Sequence, residues 1–310
     1  MTPKERAVAA LELRQPDMVP TFELEFQLEE EMFGVKFLRS NELIGRSPKE
    51  KDAMLKKNAE NIVKVYSKLE YSIIPIHYLE EPELLQTVRL VRKIVGDEYM
   101  ITVHGDGTMA IPSGSEMLDF VYRLADQPEE VKAECKARAE NAIERNKRAI
   151  DGGVDVFILC DDYCFNSGSF LSPAQFEEFI QPYLYNIIDA TKRAGAYCIK
   201  HTDGNIMPIL DQLVQCKPNA LHSIDPMAGV DIKEVKRLVG DKVCLCGNVH
   251  CASLQTGTDE DVIESARYCL THAKPGGGYI FCTSNIPFKG MKPERYQMVL
   301  DVWKSMREYK

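Results

Sequence analysis

The sequence switches repeatedly between two periodicities, and this alternation is what most limits its fold. Short apolar runs begin near Val19, Tyr71, Tyr99, Val154, Ala196, Ala220, Val243 and Tyr279. Each ends in a polar cluster and is followed by a stretch with helical spacing. Strands that alternate with helices pair in parallel. Eight such units in 310 residues have the size of a (β/α)8 barrel. The expected fold class is therefore α/β, with residues 1–310 forming a single TIM barrel that carries an N-terminal helical extension. A doubly wound sheet is the alternative. It is weakened because no Gly-x-Gly-x-x-Gly turn follows an early strand.

Helix starts are marked by chemistry as well as by period. Thr2-Pro3-Lys4-Glu5 and Ser47-Pro48-Lys49-Glu50 have the form of capping boxes with proline at the first helical position. Ser172-Pro173-Ala174-Gln175 opens a helix expected to run to Arg193. The segment Val19 to Phe26 alternates apolar and acidic residues, which predicts a first strand with Glu23 and Glu25 on one face.

Composition narrows the function. A net charge of −9 without a Lys/Arg cluster argues against nucleic-acid binding. The apolar runs are too short to span a membrane. Met1 to Arg6 lacks the apolar core of a secretion signal, so the expected location is cytoplasmic. Ten cysteines in that compartment stay reduced or bind metal.

In a barrel of this kind the active site lies at the C-terminal ends of the strands. Those ends carry, in order, Glu23 and Glu25; His77; His104 and Asp106; Asp161 and Asp162; His201 and Asp203; Asp225; Cys246 and Asn248; Cys282 and Ser284. Singly, each has an ordinary explanation: a core thiol, a hydrogen-bonded histidine, or an aspartate capping a helix, as Asp225 before Pro226 suggests. Together they point to an enzyme site. Two chemistries fit. Imidazole and thiolate from His201, Cys246 and Cys282 make a zinc ligand set, with Asp203 as substitute ligand or supporting partner. Cys244 and Cys246 face the same way in a strand, so one belongs to a deeper layer. The other chemistry is metal-free acid–base catalysis by Asp161, Asp162, His104 or His201.

Three stretches, Gly168 to Tyr183, His201-Thr-Asp-Gly-Asn205 and Cys246-Gly-Asn-Val249, resemble the uroporphyrinogen decarboxylase superfamily. The opening Met1 to Arg6 and Gln15 to Pro20 look like its methyltransferase-type members. The resemblance implies a (β/α)8 barrel. True decarboxylases of the superfamily grip substrate carboxylates with an N-terminal Arg-rich signature, whereas the corresponding strand here carries Glu23 and Glu25. The methylcobalamin:coenzyme M branch holds zinc with a His-x-Cys pair and a distant cysteine. His201 matches the first ligand and Cys282 the last, but the middle position is Asp203.

That harder ligand set suits an oxygen substrate, as in O-demethylase methyltransferases. The resemblance then implies a zinc-dependent enzyme that moves a methyl group between a methoxyarene or other O-methyl compound and a corrinoid (cobalamin) held by a separate partner protein. Zinc would sit on His201 and Cys282 with Asp203 or Cys246. Asp161, Asp162 and His104 would hold substrate or supply a proton. Glu23, Glu25, His77 and Asn248 would line the substrate site. A metal-free decarboxylase and a non-catalytic tetrapyrrole-binding barrel are the alternatives.

Overall fold

A computed structural model describes residues 1–309. Its strands are β1 (Ile73–Pro75), β2 (Met100–His104), β3 (Val156–Leu159), β4 (Cys164–Phe165), β5 (Gly168–Ser169), β6 (Tyr197–Thr202), β7 (Ala220–Ser223), β8 (Cys244–Val249) and β9 (Tyr279–Thr283). Seven of them form one curled parallel sheet in the order β1-β2-β3-β6-β7-β8-β9, and helices surround it. β4 and β5 make a small antiparallel hairpin in the loop after β3.

The first expected strand is only partly formed. Residues 19–26 are extended but make regular bridges at Thr21 alone. The segment nevertheless closes the ring. The Thr21 carbonyl accepts from Ser72 N at 2.8 Å on one side, and the Pro20 carbonyl accepts from Phe281 N at 2.9 Å on the other. The C-terminal helix Pro293–Met306 backs this seam, where Trp303 Nε1 donates to the Val19 carbonyl at 3.0 Å.

The strands are buried on both faces and read as near-continuous apolar runs, as a helix-covered parallel sheet requires. Fully buried side chains such as Phe157, Ile158 and Ile199 each contribute about 1.5–3 kcal/mol relative to exposure. The helical extension Pro3–Leu11 covers the N-terminal end of the barrel. There Lys4 reaches Asp155 at 2.7 Å, and Arg92 pairs with the same carboxylate. That end is closed by structure, and the opposite end is left for chemistry.

The capping boxes at Thr2, Ser47 and Ser172 are all present. The helix expected to run from Ser172 to Arg193 is two helices, Pro173–Phe179 and Gln181–Arg193. Pro182 is the reason: it has no N–H to donate to the preceding turn, and the chain breaks at Ile180. No helix among the described residues is long and apolar enough to cross a membrane.

Candidate active site

β6 builds the centre of the barrel mouth. Its register places His201 beside His222 on β7, and in-register neighbours project to the same side of a parallel sheet. The two rings meet with Nδ1 atoms 2.7 Å apart, so one imidazole donates to the other. The chain then turns at Gly204, whose φ is +85°. A Cβ there would lie 2.6 Å from the Cys164 carbonyl oxygen, so the turn requires glycine.

This turn folds Asp203 back against His201. The Asp203 N–H donates to Asp162 Oδ1 at 2.8 Å. Ser223 Oγ donates to Asp203 Oδ1 at 2.8 Å, and Asn285 Nδ2 donates to Asp203 Oδ2 at 2.6 Å. His201 Nε2 lies 3.6 Å from Asp203 Oδ1 and 3.8 Å from Asp162 Oδ1. Ser223 (φ +74°) and Ile224 (φ +51°) hold left-handed backbone at this point. Such conformations persist where the surroundings over-determine them, commonly at functional sites.

Burial, with the nearby His222 and Lys200, keeps the His201 imidazole neutral by pushing its pKa well down. Burial pushes the Asp203 carboxyl up to about 6, and the charges of Asp162 and Asp225 add to the shift. One neutral imidazole and two carboxylates, with ligand atoms all within 4.8 Å of one another, fit a divalent ion.

Beside this cluster lies a buried ion pair. Lys200 Nζ is 2.8 Å from Asp106 Oδ2 and also donates to the Asp161 carbonyl at 2.8 Å. Burial alone would raise the Asp106 pKa, but the ammonium holds it well below the usual carboxylate range. At Asp161 the pull of Lys200 is outweighed. Burial, and then the Asp106 charge, push its carboxyl up to about 7. Two neighbouring carboxyls with well-separated pKa values are a signature of acid–base assignment.

The family model for uroporphyrinogen decarboxylase (URO-D) matches residues 48–306. The chain belongs to the uroporphyrinogen decarboxylase family. A uroporphyrinogen decarboxylase from Pseudoalteromonas translucida (strain TAC 125) is 25% identical over 214 residues, which is 64% of this chain and 55% of that one. This family member thus spans about half the length of the curated relative it matches. A solved structure, a methyltransferase from Methanosarcina mazei, superposes with a TM-score of 0.74. It covers 98% of this chain and 99% of its own at 17% identity, a likeness of fold.

Not every strand-end residue of this uroporphyrinogen decarboxylase family member reaches the mouth. Cys246 and Cys282 join no group with three ligand atoms within 4.8 Å among the described residues. Cys246 is in register with His222, so a whole strand separates it from β6. Cys282 is fully buried, with Glu23, Cys269 and Cys251 as neighbours. Burial pushes both thiols well above their ordinary range.

Asn248 is engaged within the fold. Its Nδ2 donates to the Ile224 carbonyl at 2.7 Å, and its Oδ1 accepts from Cys269 Sγ at 3.3 Å. Asp225 caps a short turn, accepting from Met227 N at 2.9 Å.

Glu23 and Glu25 do not share a face, because the chain bends at Leu24. Glu23 is sealed between Thr283 and Tyr296, and burial pushes its carboxyl up to about 8. Glu25 opens onto the mouth with His77 and His104. His222 was absent from the expected site. A histidine in mid-strand carries no local signal, and only the register with His201 reveals it.

Proposed function

We propose that this chain is a methyltransferase that moves a methyl group between a small O-methyl compound, such as a methoxyarene, and a corrinoid carried by a separate protein. The observation that carries this reading is the Asp162–His201–Asp203 cluster at the end of β6. His201 Nε2 and one oxygen from each carboxylate would hold zinc. The fold shared with the Methanosarcina mazei methyltransferase over nearly the whole chain supports the reading.

A zinc ion held by these residues would supply Lewis acidity toward an ether oxygen. The chain's own residues supply the rest. Hydrogen bonds from Ser223 and Asn285 fix the Asp203 carboxylate. His222 fixes the His201 ring through Nδ1 and leaves Nε2 for the ion. Asp161, with a pKa near 7, is matched to give a proton to the leaving phenolate. His104, at the rim, is 44% exposed and placed to contact substrate. With Cys246 and Cys282 outside the cluster, the set is harder than an imidazole–thiolate one, which favours an oxygen over a sulfur substrate.

A metal-free decarboxylase is the second reading, and the family supports it. A substrate bearing many carboxylates would meet Glu25, Asp161, Asp162 and Asp203. The buried Lys200 ammonium between them is already committed to Asp106. Zinc analysis of untagged protein tests the choice. One zinc lost in His201→Ala, together with methyl transfer from a methoxyarene to a reduced corrinoid protein, is the expected outcome. A wild-type protein that takes up no zinc at His201 sinks the Lewis-acid reading.

A further inference from the structure

The mouth contains a second group of ligand atoms, which lies outside the Asp162–His201–Asp203 cluster. Glu25, His77 and His104 come from the closing segment, the loop after β1 and the end of β2, three adjacent sectors of the ring. Their ligand atoms all lie within 4.8 Å of one another. The two imidazole centroids are 4.3 Å apart, and His104 Nε2 is 4.0 Å from Glu25 Oε1.

Each group is oriented from behind. His77 Nε2 donates to the Leu24 carbonyl at 2.7 Å, which fixes the tautomer and leaves the Nδ1 lone pair free. Glu25 Oε2 accepts from the Tyr78 hydroxyl at 3.0 Å and from Gln27 Nε2 at 3.3 Å, which leaves Oε1 for the imidazoles. Tyr78 holds a left-handed backbone, φ +70°, an uncommon conformation for a bulky residue. Metal-bound histidines typically have their other nitrogen tied to a carbonyl in this way.

No hydrogen bond links the three groups to one another at these separations. Ion–ligand bonds of about 2.0–2.2 Å would place neighbouring ligand atoms roughly 3 Å apart, so an ion would draw the three together by about an ångström. The geometry points to a second divalent-metal site, with Glu25, His77 and His104 binding a first-row transition ion. Two imidazoles and one carboxylate form a facial set that leaves positions open. Those positions face the mouth and suit an oxygen donor from a small molecule, either a carboxylate or a phenolate. This inference does not rest on methyl transfer.

Cobalt(II) is the probe, because its visible absorption reports each site and its titration counts them. Metal-stripped, untagged protein is titrated as wild type, His104→Ala, Glu25→Gln, His201→Ala and the His104→Ala/His201→Ala double variant. The expected result is two equivalents in wild type, one in each single variant and none in the double. Tyr78→Phe, which keeps all three ligands, weakens only this site, by about 10–100-fold. His104 is half-exposed, so its replacement leaves the fold intact, and circular dichroism confirms this. If His104→Ala and Glu25→Gln bind as much cobalt as wild type with the same affinity, the second site does not exist. One equivalent lost only in His201→Ala overturns this inference and leaves the methyltransferase reading standing. One equivalent lost only in His104→Ala and Glu25→Gln does the reverse.

Discussion

The two sides of the barrel mouth differ in depth more than in residue type. On the side of β2, β3 and β6, His201 and the carboxylates of Asp162 and Asp203 face one another at ligand distances, and Asp161 lies beside Asp106. On the side of β8 and β9, Cys246, Asn248 and Cys282 have comparable chemical potential but are sealed in the fold. A nucleophile or ligand needs its lone pair accessible and its charge tolerated. Burial without a cation pushes a thiol toward its protonated, inert form. Lys200 makes the difference on the first side, since it stabilises one carboxylate and leaves the next to titrate near neutrality.

The largest expected effect breaks the ionic side of this contrast. Lys200→Ala leaves Asp106 charged and uncompensated in the interior, where both side chains are almost wholly buried. Removing one partner of such a pair costs about 3–5 kcal/mol. Urea denaturation measures this, and a loss under 1 kcal/mol means that water reaches the pair.

Next is the support behind His201. His222→Phe removes the Nδ1 partner and retains an aromatic ring beside Phe22. Zinc affinity at His201 falls by about 10–100-fold while thermal stability changes little. Competition against a zinc chelator reads this, and unchanged affinity removes His222 from the site.

The third effect is a pH dependence at Glu23. Its folded pKa, about 8, lies above the ordinary glutamate value of 4.5. Between those two values the unfolded chain loses its proton and the folded protein keeps it. Stability therefore falls as pH rises from about 4.5 to 8, then levels off. Glu23→Gln removes this contribution, so the variant gains on wild type as pH rises. Parallel stability curves for the two proteins would show that Glu23 ionises freely.

The smallest effect sharpens the comparison most directly. Cys246→Ala and Cys282→Ala each cost about 1 kcal/mol of packing, within the common range for point substitutions. Zinc content stays at the wild-type level in both. Loss of zinc in either variant would erase the division between the two sides.

Much of this was legible in the linear chain, because it depends on neighbours in sequence. Capping at Thr2, Ser47 and Ser172 depends on a residue three positions on, and the strand count depends on local period. His201 and Asp203 were recognisable because a strand, a turn and Gly204 bring them together within four residues. What failed was inference from alternation across an irregular backbone. Glu23 and Glu25 read as one face, and a bend at Leu24 sends them to different environments.

Local spacing along the chain is enough to show that strands and helices alternate and that polar groups gather where strands end. Which of those groups meet depends on the packed barrel. Register sets His222 rather than Cys246 beside His201. Ring closure through Thr21 brings Glu25 to His77 and His104. The physical reason is that periodicity is a local property of the backbone, whereas ligand geometry and pKa depend on distances between segments far apart in the chain. Those distances are set by packing.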